Sequence, residues 1–348
     1  MKIHSKIYLL VFLLFACKLC FSQVETIKKL DSILVSTKPI LFTGSVLVKN
    51  NNKTLYQNTQ GFSDSTKAKK ITASDAFKIM SNSKQFTAVL ILKAQEQGKL
   101  KVSNAIGLYL KDLKQEWKNQ VTIHQLLNHT HGIKSVDDSL LFTPGSQFKY
   151  GNLSYALLGK ILENVYKKSY WELVNQLFKD VGMTKSYCFS ENEPSKAITG
   201  FMNLENQLRA VTKSFLTNDI RSAAGIISTP EDLNKWNQAL FNGKILKSKS
   251  LKMLLTPSTK SQHQVFGTQE MGFGYSVRLI QEKGYHYYAI TGLGDGFTLL
   301  NCYFPKSKTS VIVMENQMPE ESEFWSYNEA AIKNIVLESD WVKKDRKN

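Results

Sequence analysis

Arginine is almost missing from this chain. Only Arg209, Arg221, Arg278 and Arg346 stand among 45 basic residues, so lysine carries the formal charge of +16. Nucleic-acid readers depend on the guanidinium for bidentate base and phosphate contacts. No basic block interleaved with aromatics takes its place. The composition therefore predicts a solvated lysine surface and no nucleic-acid partner. It also predicts a long-range attraction for anionic cell-envelope polymers.

Cysteine is scarce as well, with four in 348 residues. Cys188 and Cys302 lie far apart; an exported chain permits a disulfide between them, but two cysteines make no framework. Zinc-type spacing is absent. So are a G-x-S-x-G elbow and a phosphate loop, which argues against a conventional α/β-hydrolase or a nucleotide enzyme. No internal repeat or low-complexity segment stands out.

One apolar stretch, Ile7 to Ala16, follows Lys2 and Lys6 and precedes small residues at Cys20 and Ser22. That layout predicts a secretory signal peptide over residues 1–22, too short to span a membrane stably, and an exported, periplasmic or secreted chain with no transmembrane span. The stretch "LFAC" offers lipidation at Cys17 as the alternative. The leader holds three lysines and no acids, which leaves +13 of the +16 on the remaining chain.

Beyond the leader, "GSVLVKNNNKTLYQNTQG" (Gly44 to Gly61) sets two β-rich runs around an Asn/Lys turn, a hairpin pattern. The stretch "FKIMSNSKQFTAVLILKAQEQGKL" then predicts a helix that is apolar nearly all round and ends at Gly98, so it belongs in the centre of a large core. Helical patterns dominate from Val121 to Leu251: "TIHQLLNH", "YALLGKILENVYKK", "YWELVNQLFKDVG" and "PEDLNKWNQALFNG". After Met271 the pattern returns to strands in "FGYSVRLI", "YHYYAIT", "FTLLNCYFP" and "TSVIVMEN". A last helix falls near Asn328 to Leu337. The expected fold is α+β: a mainly antiparallel sheet from both termini, flanked by helices, with an inserted helical subdomain. The expected organisation is one domain over 23–340, with its sheet part at about 40–95 and 255–340 and its helical part at about 100–250. A basic tail, 341–348, follows.

Ser81 and Lys84 are three apart, which makes them neighbours on a helix surface. A long side chain leaning toward the helix N-terminus would bring the Lys84 ammonium over the Ser81 hydroxyl. Free N–H groups and the positive dipole end favour negative charge developing there. The spacing suits acyl transfer, but it suits an N-cap serine equally well. Ser146 and Lys149 repeat the spacing in "TPGSQFKYGN", in a turn with no helix beneath it. His129 and His131 form an H-x-H that could bind metal, or could sit at a structural helix end capped by Gly132. Glu231 and Asp232 in "TPED" suit a helix start rather than a catalytic pair.

The surroundings of Ser81 resemble the nucleophile region of the serine β-lactamase and penicillin-binding-protein superfamily, where S-x-x-K carries the acylated serine and its lysine. The likeness is to the branch holding class C β-lactamases, D-alanyl-D-alanine carboxypeptidases and related esterases. "PGSQFKYGNLSYALLG" is similar to its Y-x-N region, which would pair Tyr150 with Asn152. "EQGKLKVSNAIGLYL", "VTIHQLLNHTHGI", "SAAGIISTPEDLNKW", "GFGYSV" and "GDGFTLLNCYFP" are similar to its other segments, in order. The resemblance runs from about Phe42 to about Asn316.

It implies a serine acyl hydrolase with no metal and no cofactor, acting on a small-molecule or peptide-like acyl substrate. Ser81 would attack, and Tyr150 with Lys84 would move the proton. Asn152 would orient Lys84 and bind a substrate amide. The backbone N–H groups of Ser81 and Leu293 would hold the oxyanion. The third motif of the family, K-T-G or H-x-G, falls on Ile290, Thr291 and Gly292. Thr291 and Gly292 agree with it; Ile290 removes the cation. His286, four strand residues away, lies about 13 Å off. The departure leaves two expectations: hydrolysis of esters or neutral amides rather than carboxylate-bearing substrates, or a catalytically impaired protein that binds cell-wall fragments or another ligand.

Overall fold

The computed structural model describes residues 23–346. The predicted leader, Cys17 within it, and the last two residues lie outside that range. Among the described residues, no helix is long and apolar enough to cross a membrane.

An eight-stranded antiparallel sheet organises the molecule. From edge to edge it runs Lys53–Gln60, Gly44–Asn50, Thr309–Glu315, Phe297–Phe304, Tyr285–Gly294, Arg278–Glu282, Met271–Phe273 and Thr259–Ser261. The fold is α+β, with the sheet drawn from both ends of the chain. Period-two alternation sorts its residues onto two faces. Leu47, Ile290 and Ile312 enter one core with Ile79, Phe86 and Trp236. Val46, Val48, Ala289, Val311 and Val313 enter the other with Leu30, Ile332 and Val336. The first core is covered by the helices Lys84–Glu96, Leu153–Tyr166, Tyr170–Val181 and Pro230–Phe241. The second is covered by a helix over 23–35 and by Tyr327–Glu338.

The helix Lys84–Glu96 is buried through Leu92, as its unbroken apolar run requires. It closes in a Schellman turn. Gly98 takes φ +72°, its N–H donates to the Gln95 carbonyl at 3.0 Å, and the Lys99 N–H donates to the Ala94 carbonyl at 3.0 Å.

Several expectations need correction. Ser81 does not open the α-helix; Met80–Ser83 form a 3-10 turn, and the helix begins at Lys84. The geometry survives because residues three apart eclipse in a 3-10 turn. Gly132 does not cap the short helix Ile123–Leu127, which stops at Asn128, four residues earlier. The "FGYSVRLI" run breaks into two strands at Gly274, where a Cβ would come within 2.3 Å of the Leu254 carbonyl oxygen. The segment expected as a basic tail is folded as far as residue 346: Trp341 and Val342 are buried in the second core. The Asp345 carboxylate accepts from the Lys306 and Ser307 N–H groups at 2.7 and 3.0 Å. Cys188 and Cys302 are buried and free, in opposite cores, so no disulfide joins them.

Candidate active site

The 3-10 turn at Met80–Ser83 sits against the strand Tyr285–Gly294. A Cβ on Gly292 would come 2.3 Å from the Ile79 carbonyl oxygen, so only glycine lets the two backbones approach this closely. Met80 holds φ +48°, a left-handed conformation unusual for its type, directly before Ser81.

Lys84 is buried with polar partners on several sides. It donates to Ser81 Oγ at 3.2 Å, Asn152 Oδ1 at 2.8 Å and the Ala223 carbonyl at 3.0 Å. Asn152 is the N-cap residue of Leu153–Tyr166 but makes no side-chain cap, which leaves its amide oxygen for the lysine. The Lys84 ammonium also lies 5.0 Å from the Tyr150 ring centre.

Tyr150 keeps 43% of its surface exposed while its ring packs against His129 and the Lys84 ammonium. Burial alone would raise the phenol's pKa. The Lys84 charge, hydrogen bonding to the Ser81 hydroxyl and to Lys84, and the Arg278 charge outweigh that and hold it below the ordinary tyrosine value.

His129, at φ +61°, packs its ring 4.5 Å from that of Tyr150 and bonds Ser154 Oγ through Nδ1 at 3.1 Å. Its carbonyl accepts the Lys149 N–H at 2.9 Å, which ties the Tyr150 loop down. His131 Nδ1 accepts from the Ile133 N–H at 2.9 Å. Burial depresses the pKa of both imidazoles, His131 to about 4. Among the described residues, no group of three or more His, Cys, Asp or Glu side chains could hold a metal ion. Ser146 bonds the Thr143 carbonyl in its turn at 2.7 Å, apart from the cluster. Thr229 caps "TPED" by accepting the Asp232 N–H, so Glu231 and Asp232 serve the helix start.

Ile290 is buried in the first core and supplies no charge. A cation that sequence reasoning missed stands on the neighbouring strand. Arg278 is 8% exposed and donates from Nη1 to Thr291 Oγ1 at 3.1 Å. Among the described residues no carboxylate lies within ion-pair distance of it, and its Nε has no hydrogen-bond partner. Burial lowers its pKa to about 10, and the Tyr150 phenol partly offsets this. The one signal in the sequence was rarity: a chain with four arginines has placed one of them in a strand otherwise apolar at its start.

Strand pairing stops at Arg278 opposite Ala289. Ile290 to Gly294 therefore have a strand partner only on the Phe297–Phe304 side among the described residues. Thr291, Gly292 and Leu293 lie along this free edge and line a cavity of about 220 Å³ with His263, Gln264 and Trp325.

The serine, the buried lysine and the tyrosine thus gather between the sheet and the helical layer. The Beta-lactamase family model matches residues 41–333, and the chain belongs to that family. Protein flp of Staphylococcus aureus is 28% identical over 299 residues, which cover 78% of this chain and 59% of that protein. The chain thus spans about three fifths of that relative's length. Two solved structures share the fold. A penicillin-binding protein from Bacillus halodurans superposes with a TM-score of 0.74 at 24% identity, covering 88% of this chain and 98% of that one. A D-amino acid amidase from Ochrobactrum anthropi, in complex with L-phenylalanine amide, gives 0.77 at 18% identity, covering 90% and 99%.

Proposed function

We propose that the chain is a serine acyl hydrolase working through an acyl-enzyme on Ser81. The observation that carries this reading is the hydrogen-bond chain from Ser81 through Lys84 to Asn152, with the Tyr150 ring against the Lys84 ammonium. A site that had lost its chemistry would have no reason to keep a buried lysine so fully satisfied.

Hydrogen bonds to Ser81, Asn152 and the Ala223 carbonyl fix the Lys84 ammonium beside Tyr150. The base is the Tyr150 phenolate, favoured by that cation. It takes the Ser81 proton while Oγ bonds to the substrate carbonyl carbon. The oxyanion is held by the N–H groups of Ser81 and Leu293. Collapse breaks the bond to the leaving group, which receives the proton from Tyr150. Water then attacks the acyl-serine, giving its proton to Tyr150, and Ser81 departs and is reprotonated. The net reaction is hydrolysis of an ester or amide.

Arg278 changes the substrate expectation drawn from Ile290. A buried guanidinium with an unpartnered Nε beside Thr291 suits a substrate carboxylate near the leaving group. The second reading, binding without turnover, draws on Ile290 alone. Export rests on residues 1–22, and attraction to anionic envelope polymers rests on the lysine surface.

The test is intact mass over time for the protein and its Ser81→Ala variant, each with a penicillin and with a small activated ester. An adduct on the unmodified chain that later clears supports hydrolysis. A stable or absent adduct with both reagents moves the assignment to the binding reading.

A further inference from the structure

The turn that ends the free edge holds a feature the hydrolytic steps do not use. Asp295, at φ +53° between Gly294 and Gly296, has a side chain only 3% exposed. It accepts from Lys78 Nζ at 2.8 Å, from the Phe215 N–H at 3.1 Å and from the Ser214 hydroxyl. Lys78 also reaches Ser214 Oγ at 3.1 Å, and the same oxygen accepts the Leu216 N–H at 3.1 Å. A buried ion pair thereby pins residues 214–216 onto the turn.

What this anchor presents is an aromatic ring. Phe215 remains 45% exposed although it is large and apolar. Its ring closes over Gly294: a Cβ there would lie 2.8 Å from the ring and 3.1 Å from the Met80 methyl. Gly294 is thus the slot in which the Phe215 ring and the Met80 thioether meet. The Met80 side chain is itself buried, so the Phe215 ring is the exposed apolar wall and the thioether backs it.

The wall's place in the site follows from chain connectivity. Met80 directly precedes Ser81, and Gly294 directly follows Leu293. The wall therefore adjoins both N–H groups assigned to the oxyanion. Tyr150, which protonates the leaving group, feels the charge of Arg278, and Arg278 is bonded to Thr291. Thr291 stands three residues, about 10 Å, up the strand from Gly294. The leaving group belongs at the Thr291 end, so the acyl group runs toward Gly294 and Phe215.

We propose that Phe215, backed by the buried Met80, forms the acyl-side subsite, and that the chain prefers acyl groups bearing an aryl side chain. Asp295 is its positioning residue. The proposal rests on the serine hydrolase reading.

The experiment compares kcat/KM for two activated esters with one leaving group, acetyl and phenylacetyl, and reads their ratio. The unmodified chain should favour phenylacetyl. Phe215→Ala should cut the preference roughly tenfold, Phe215→Tyr should keep it, and Asp295→Asn should lower it by releasing the loop. A ratio that is the same in all four proteins overturns the subsite while leaving Ser81 hydrolysis standing. Turnover of neither ester, with no Ser81 adduct, overturns the hydrolase reading and this one with it. Phe215 lies on a half-exposed loop, so its truncation spares the core, and Phe215→Tyr controls for loop damage.

Discussion

The Arg278 guanidinium donates to the Thr291 hydroxyl across two neighbouring strands, at 3.1 Å. Thr291 directly follows Ile290, and Arg278 places a cation on the neighbouring strand beside it. Removing it should act on two readouts. Arg278→Gln takes away a charge that lowers the Tyr150 pKa, so that pKa rises. In the proposed mechanism Tyr150 accepts the serine proton as the phenolate, so the acid limb of the kcat/KM profile should move to higher pH by on the order of one unit. Turnover of carboxylate-bearing substrates should fall roughly 10- to 100-fold, and more than that of a neutral ester. Equal losses on both substrates would argue against carboxylate recognition.

Asn152 offers the oxygen that accepts one of the three Lys84 donors. Asn152→Ala leaves a buried ammonium one acceptor short and free to swing from Ser81. The expected result is a kcat reduced about 100-fold with a folded chain, checked by burst kinetics and circular dichroism. Asn152→Asp should retain an acceptor, and its kcat should lie between the two.

Gly292→Ala would drive a methyl into the Ile79 carbonyl, 2.3 Å from where it would stand. Backbone cannot yield as a side-chain tip does, so the strand must move away from the nucleophile turn. Stability should drop by about 1–3 kcal/mol in urea titration, and acylation should drop by far more than that loss implies. Acylation at the unmodified rate would mean that this contact does not set the site.

Glu315 and Glu329 are buried close enough for each charge to act on the other, and Glu315 accepts from the Gln317 and Asn328 amides at 2.7 and 3.0 Å. Burial raises both above the glutamate range, Glu329 to about 7. The folded state therefore holds protons that the unfolded chain has released above the ordinary glutamate value. Stability from this pair is full below that value and declines as pH rises through about 7. The loss should be seen as a lower urea midpoint at pH 8.5 than at 5.5. Glu329→Gln should flatten that slope; a slope that persists would place the titrating group elsewhere.

Much of this was legible in the sequence because local chemistry dictated it. The Asn/Lys hairpin, the all-apolar helix and its Gly98 stop, and the ordered motifs each depend on neighbours within a few positions. Lys84 over Ser81 followed from a three-residue spacing that tolerated even the wrong helix type. Arg278 was not legible, because strand alternation gives a face but never the residue on the next strand. The Phe215 loop was hidden for the same reason: its anchor is Asp295, 80 positions away. The last turn, read as a tail from its lysines, is folded because Trp341 and Val342 bury what the charges concealed.

The pairing of Gly44–Asn50 with Thr309–Glu315 has a temporal consequence. Val46 and Val48 find their partners, Val313 and Val311, only after more than 260 further residues have been made. At about 5–20 residues per second the first strand waits on the order of 15–50 s, with its apolar side chains uncovered. Non-local closure of this kind is slow in its own right. Until residues 309–315 have been made, the first strand has only its hairpin neighbour Lys53–Gln60, and its other edge stays open to any chaperone that binds unpaired strands.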